Sequence, residues 1–303
     1  MTIERKTTER PRILLIGANG QVGWELRRTL ATLGNVVTAS LEGECGPIID
    51  LMDPLSLRRL VDETQPDALV NAAAYTAVDK AETDQDTARR INADAVGEMA
   101  ELVAVRGIPL IHYSTDFVFS GEIDRPYRED DLTGPLNVYG ETKLAGEQVL
   151  LNSGAQALIF RTSWVYGIRG ANFLLTMLRL LQERDELRIV DDQVGAPTWS
   201  RMLAEVTALV LYRVLRGELD LADVGGLYHL TGSGQVSWYG FASAILEESG
   251  LEGKLIPIPS SEYPAPALRP RYSVLDNRRV QDTFGLTMPD WRVSLRQCLE
   301  ERI

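Results

Sequence analysis

Cysteine and histidine are scarce in this 303-residue chain, with two of each. Cys45 and Cys298 lie far apart and form no C-x-x-C pair, which argues against a disulfide framework or a structural zinc site and fits a reducing, cytoplasmic setting. No apolar run approaches the ~20 residues that a membrane-spanning helix needs. Met1 to Arg10 is polar and charged, without the apolar stretch of a signal peptide. Positive charge is also in short supply. The net charge of −12 excludes a general nucleic-acid binder, which needs clustered Lys and Arg to neutralise phosphates. An anionic ligand would have to be met by a local set of donors rather than by the overall field.

What is present is an ordinary globular composition, 45% hydrophobic and 24% charged, long enough for one large domain carrying a smaller one. Arg12-Ile13-Leu14-Leu15-Ile16 is a short apolar run that stops at Gly17, as a strand buried on both faces of a parallel sheet does. Val22, Leu26, Leu30 and Leu33 then recur at helical spacing. The alternation continues with a strand at 36–39, a helix near 54–64, a strand at 68–70, a helix near 87–106, a strand at 109–113, a helix near 137–151 and a strand at 157–160. This order predicts an α/β fold of the Rossmann type, a doubly wound parallel sheet covered by helices on both sides. Beyond about residue 165, Gly and Pro cluster at 195–197, 225–234 and 253–270. We read residues 12–165 as mainly the dinucleotide-binding domain and 166–303 as mainly a smaller substrate-binding lobe, with some of its segments returning to the first.

The first strand runs into Gly17-Ala18-Asn19-Gly20-Gln21-Val22-Gly23, which opens the first helix. Glycines there permit a tight turn and a close approach to a pyrophosphate, while the helix N-terminus directs free N–H groups at it. Gly17, Asn19, Gly20, Gln21 and Val22 are therefore the candidate phosphate site. After the second strand the chain offers Ser40 and Leu41 and no carboxylate until Glu42. With no acid to repel a 2′-phosphate, NADPH is expected to be accepted, assisted by Arg27 or Arg28, and NADH use stays open. Asp50, after the apolar pair Ile48-Ile49, is a candidate adenine contact. In Asn71-Ala72-Ala73-Ala74 the small side chains would let the cofactor ribose lie close to the backbone.

Tyr139-Gly140-Glu141-Thr142-Lys143 is a Y-x-x-x-K motif, and residues four apart share one face of a helix. A lysine beside a tyrosine favours the phenolate and is expected to lower the tyrosine pKa, so that Tyr139 can donate a proton near neutral pH. The preceding strand ends in His112-Tyr113-Ser114-Thr115-Asp116. A hydroxyl at the carboxyl end of a parallel strand can bond a substrate carbonyl and share in stabilising its developing charge. Thr115 is chosen over Ser114.

Together these segments make the chain resemble the dTDP-4-dehydrorhamnose reductase family of extended short-chain dehydrogenases. The likeness runs through Gly17–Leu26, Val70–Glu82, His112–Phe119, Pro135–Glu147, Arg161–Gly167 and Asp192–Thr198. It implies a catalytic triad of Thr115, Tyr139 and Lys143, the last two also touching the cofactor, and it extends the cofactor site to Leu51 and Thr76. It implies a substrate pocket formed in part by Val78, Asp116, Phe117 and Trp164. The implied reaction is reduction of the 4-keto group of dTDP-4-dehydro-6-deoxy-L-mannose to dTDP-L-rhamnose, with NADPH or NADH. Phe117 stands where many members of the family have tyrosine, which removes one pocket hydroxyl. Some members dimerise through a metal held by glutamates. Glu25 and Glu301 match such positions, but Arg201 replaces an expected acid, so no metal site is assigned, Mg2+ is left open, and the chain is read as a monomer or homodimer.

Other readings compete. One is another nucleotide-sugar 4-ketoreductase; a second is a non-catalytic, NADP-binding regulatory subunit of the same fold, against which the intact Thr115, Tyr139 and Lys143 argue. His112 reads as a core histidine within a strand, and His229, in Leu227–Leu230, likewise as part of a strand of the C-terminal lobe. Glu129-Asp130-Asp131 reads as a solvated loop. Arg269 and Arg271 offer two guanidiniums that would suit a nucleotide diphosphate, with a plain surface loop as the equal alternative.

Overall fold

The structure, a computed structural model, describes residues 10–43 and 46–301; Cys45 and most of the polar N-terminal tail lie outside them. Its centre is a six-stranded sheet. Five strands follow the expected alternation: β1 (Arg12–Ile16), β2 (Asn35–Ala39), β3 (Ala68–Asn71), β4 (Leu110–Thr115) and β5 (Ala157–Thr162). The sixth, Gly226–His229, comes from the C-terminal half and pairs with β5. Every pairing in this sheet is parallel, in the spatial order β2, β1, β3, β4, β5 and then Gly226–His229.

The strand residues are apolar on both faces because both faces are covered. Ile13 and Leu15 enter one core, with Leu26 and Leu30 of helix α1 (Gln21–Ala31) and Leu203 and Val210 of the helix Ser200–Leu215. Leu14 and Ile16 point the other way, as successive strand residues must, and meet Leu57 and Val61 of helix α2 (Pro54–Thr64) and Met99 and Val103 of the helix Ala95–Arg106. Ile13, Leu14, Leu15 and Ile16 are fully buried, which contributes about 1.5–3 kcal/mol for each side chain. After residue 165 the chain thus returns to the layers around this sheet with the helix Ser200–Leu215, the strand Gly226–His229 and, through Val280 and Phe284, the helix Arg278–Phe284.

A third core gathers Tyr166, Leu178, Phe241, Trp291 and Leu295 from the C-terminal half. Beside it, Glu186–Val190 and Lys254–Ile258 form a separate two-stranded parallel ribbon. The helical stretch expected near 87–106 is interrupted. Gln85–Arg89 passes through a π turn at Arg90–Asp94 before Ala95–Arg106 resumes, and such turns are rare and cluster at functional sites. Among the described residues, no helix is long and apolar enough to cross a membrane.

Candidate active site

In an open parallel sheet, ligands bind beyond the carboxyl ends of the strands, and the expected site residues collect at that edge. Ile16 is level with Ala39 and Asn71, Asn71 with His112, and Thr115 with Thr162. Gly17 has φ +82°, and a Cβ on it would lie 2.5 Å from the Ala73 nitrogen. A Cβ on Gly23 would lie 2.0 Å from the Gly17 carbonyl oxygen. These two glycines close the loop on itself, whereas Gly20 meets nothing nearer than 3.4 Å and leaves the approach to α1 open. Gly20 caps α1 without any side-chain hydrogen bond, so the first-turn N–H groups have no side-chain acceptor competing for them. This cradle fits a dinucleotide pyrophosphate.

The remaining cofactor candidates have varied surroundings. Asn19 Nδ2 donates to Glu42 Oε2 at 3.2 Å, so an acid does stand at the end of β2, brought there by the bend of the chain rather than by the strand itself. Arg28 is taken up by Glu25 and Glu205, and Arg27 stacks over Trp24. Gln21 Oε1 accepts from Asn172, tying the loop to the C-terminal half, and Val22 packs against the first core. Asp50 Oδ1 accepts from the Met52 nitrogen, and Leu51 is buried in the second core. Ala72, Ala73 and Ala74 are half-buried, the first two against Gly17, and Thr76 is exposed.

The catalytic candidates come from β4 and the helix Val138–Asn152. Asn137 caps that helix by accepting from the Gly140 nitrogen at 2.8 Å, and Glu82 accepts from the Val138 nitrogen at 2.9 Å. Gly140 and Gly146 hold the helix close: Cβ atoms there would fall 2.2 Å from the Phe117 carbonyl oxygen and 2.1 Å from that of Asn92. Asn92, in the π turn, donates to the Tyr75 carbonyl and to Thr142. The helix face is thereby set against the strand end, and the Thr115 hydroxyl lies beside the Tyr139 phenol, favouring its ionised form. Phe117 meets Tyr139 edge-on at 5.7 Å.

The electrostatics differ from the expectation in one respect. Burial, with a contribution from the Asp116 charge, pushes the Tyr139 phenol up to about 12, against the pull of the Thr115 hydroxyl beside it. The protein's own groups therefore do not lower it as expected. The reason is geometric: Lys143 turns inward. Its Nζ donates to the Tyr113 carbonyl at 2.6 Å and lies 3.3 Å from His112 Nε2. Burial brings the Lys143 amine down to about 8, opposed by the charge of Glu147. Asp116 is buried, and desolvation raises its carboxyl to about 7, opposed by the nearby Ser273 hydroxyl and by Thr115, which donates to Oδ1 at 3.2 Å.

Around this centre, Val78 begins a short helix, and its neighbour Asp79 binds Arg269 at 2.8 Å. Trp164 has φ +46°, an uncommon conformation for a bulky residue. Trp238 stacks on its ring at 3.4 Å with 5° between planes, so one indole face is already taken. A cleft of about 1040 Å³ opens from here between Phe173, Met177, Arg188, Trp238, Tyr263 and Arg269. Arg269 is thus at the cleft, while Arg271 is exposed and 3.9 Å from Asp192. The acidic run 129–131 is not simply solvated. Asp131 takes a two-pronged bond from Arg125, which lowers its carboxyl to about 2, and Glu129 accepts from the His229 nitrogen. Arg201 lies between Glu25 and Glu301 and pairs with both.

Asn92, Glu82, Asn172 and Trp238 were not singled out from sequence. Each acts across a long separation, and only a short-range signal such as the helix start at Asn137 was visible in the sequence.

Comparison with known proteins shows the family. The family description "RmlD substrate binding domain" matches residues 11–303. A Burkholderia thailandensis dTDP-4-dehydrorhamnose reductase is 47% identical over 298 residues, covering 96% of this chain and 98% of that protein. This chain belongs to that family. An Escherichia coli K12 member is likewise 47% identical, over 95% of this chain and 97% of its own length. A Bacillus anthracis dTDP-4-dehydrorhamnose reductase solved in complex with NADP superposes with a TM-score of 0.87 at 32% identity, covering 96% of this chain and 99% of that one. A Thermus thermophilus UDP-glucose 4-epimerase in complex with NAD, 19% identical with a TM-score of 0.80 over 95% of this chain and 98% of that one, shares the fold.

Proposed function

We propose that the chain reduces the 4-keto group of dTDP-4-dehydro-6-deoxy-L-mannose to dTDP-L-rhamnose with a reduced nicotinamide dinucleotide, NADPH or NADH. The observation that carries this reading is the juxtaposition of the Thr115 hydroxyl and the Tyr139 phenol, set beside Lys143 at the same sheet edge as the Gly17–Gly23 cradle. The nicotinamide, when bound, supplies hydride to C4. Thr115 and Tyr139 together hold the carbonyl oxygen, and the Tyr139 hydroxyl gives it a proton. A phenol held near 12 stays protonated at neutral pH, which is the form a proton donor needs.

Gly17, Asn19, Gly20, Gln21 and Val22 would hold the pyrophosphate, Asp50 and Leu51 the adenine end, and Ala72 to Ala74 with Thr76 the ribose, while Tyr139 and Lys143 also contact the nicotinamide side. Val78, Asp116, Phe117 and Trp164 would line the sugar subsite. With Trp238 stacked on one face of Trp164 and the Gly195 backbone against the other, a sugar ring would meet the indole edge. The adjoining cleft, with Arg269 and Arg188, suits the nucleoside diphosphate, which supports reading residues 166–303 as mainly the substrate-binding lobe. A cytoplasmic setting fits a substrate of this kind.

The test is loss of NADPH absorbance with the keto-sugar generated in situ, comparing wild type with Tyr139→Phe. Wild-type turnover that falls by about 10²–10⁴-fold in the variant, with NADPH binding retained, supports the reading. Wild-type protein that binds NADPH but leaves this keto-sugar untouched would overturn it.

A further inference from the structure

Lys143, among the largest fully buried side chains of the molecule, has its amine directed at a second titratable group that the proposed reaction does not use. His112 lies in β4 and is 1% exposed. Its Nε2 is 3.3 Å from Lys143 Nζ, and its Nδ1 is 3.0 Å from Asn71 Nδ2. Asn71 itself sits at the end of β3, 1% exposed.

The protons in this row can be assigned from donor and acceptor chemistry. The Ala73 N–H donates to Asn71 Oδ1 at 3.0 Å, so the other end of that amide, the NH2, faces the ring. An NH2 group can only donate, which makes His112 Nδ1 an acceptor. A neutral imidazole with an accepting Nδ1 carries its proton on Nε2. Burial, reinforced by the Lys143 charge, holds His112 well below its ordinary value, so the ring is neutral. Its Nε2–H therefore points at Nζ. An ammonium has three donors and no acceptor; a neutral amine has a lone pair to accept this N–H.

We infer that Asn71 and His112 are positioning residues for Lys143: Asn71 fixes the ring with its proton on Nε2, and that N–H works against the charged amine. The Tyr113 carbonyl takes an amine proton in either state. On the lysine's own helix, Tyr139 lies one turn back and Glu147 one turn on. Glu147 favours the ammonium, but its carboxylate is held by two hydrogen bonds from Arg161 of β5, at 2.8 and 2.6 Å. Asp116 acts on Tyr139 rather than on Lys143. The outcome is a lysine poised to exchange its proton close to working pH. The catalytic meaning of this rests on the reductase reading, whereas the proton arrangement does not.

Nitrogen-15 NMR of the histidine rings and carbon-13 NMR of the lysine Cε positions test it on the whole protein without substrate. His112 has only His229 as a companion, and Lys143 only Lys6, Lys80 and Lys254. In wild type, His112 should show a neutral ring with its proton on Nε2 throughout the Lys143 titration, and Lys143 should titrate at about 8. Asn71→Asp offers an acceptor to Nδ1 and reverses the ring, so Lys143 should move up by about one pH unit or more, a tenfold gain in proton affinity. His112→Gln can accept from Asn71 with its oxygen and present its NH2 to Nζ, so Lys143 should stay within about half a unit. A wild-type ring protonated on Nδ1, or an Asn71→Asp titration identical to wild type, overturns the inference. If Asn71→Asp does not fold, the wild-type ring and the glutamine variant still decide. Failure of keto-sugar turnover would refute the reductase reading and leave these spectra unchanged.

Discussion

Replacing Asp116 by asparagine should stabilise the protein by an amount that grows with pH. The carboxyl is buried, and one of its oxygens, Oδ2, has no hydrogen-bond partner. Desolvation raises its folded-state value from the ordinary 3.8 to about 7. The folded protein therefore holds this proton more tightly than the unfolded chain does. Stability from this group is present below the unfolded value and is lost as pH rises towards the folded one. Above about 7 the full cost applies, about 4 kcal/mol from the gap between the two values. At about pH 5 the unfolded carboxyl is ionised and the folded one is not, so a smaller part has been lost.

Asparagine carries no proton to lose, so its pH-independent consequences cancel when the same variant is compared at two pH values. The gain of Asp116→Asn over wild type should be about 2.5 kcal/mol larger at about pH 8 than at about pH 5. Urea unfolding of both proteins at the two pH values measures this directly. A gain that is the same at both would show that Asp116 ionises normally in the folded protein, and would refute the desolvation argument. If Asp116 also serves the sugar subsite, the variant should show a raised KM while its unfolding behaves as described.

Three further outcomes follow from other parts of the structure. Gly23→Ala places a methyl 2.0 Å from a backbone oxygen, which no side-chain adjustment relieves; NADPH binding by fluorescence titration should fall below detection while the far-UV spectrum stays α/β. Glu42→Gln removes the charge that lies against Asn19 and should lower KM for NADPH relative to NADH, with an unchanged ratio counting against Glu42 as a discriminator. Glu147→Gln leaves Arg161 buried without its counter-charge and should cost about 3–5 kcal/mol in chemical denaturation.

The parts of the fold that sequence reveals are those with a local signature. β1 is legible because four consecutive apolar residues stop at a glycine, and the structure shows them dividing alternately between two cores. The strand Gly226–His229 is different. Whether those residues close the far side of the main sheet or belong to the C-terminal lobe depends on pairing with β5, about seventy residues earlier, and no periodicity encodes such a pairing. The π turn at Arg90–Asp94 is equally hidden, because a single added residue hardly disturbs the helical spacing around it. It nevertheless brings Asn92 into contact with Tyr75 and Thr142.

The site divides along the same line. Y-x-x-x-K places Tyr139 and Lys143 on one helical face, and the structure keeps them there. Where Lys143 points is a separate matter, decided by β4. The Tyr113 carbonyl and His112 draw the amine inward, so the phenol is governed by burial and Thr115 instead of by the lysine. His112 was legible as a core residue, and it is one: buried, neutral and hydrogen-bonded. That description does not exhaust its chemistry, because a satisfied imidazole still chooses which nitrogen keeps the proton, and Asn71 makes that choice. A pattern of residue types can therefore locate a proton donor and its neighbouring amine, but the charge that the amine carries is set by strand residues that the motif does not include.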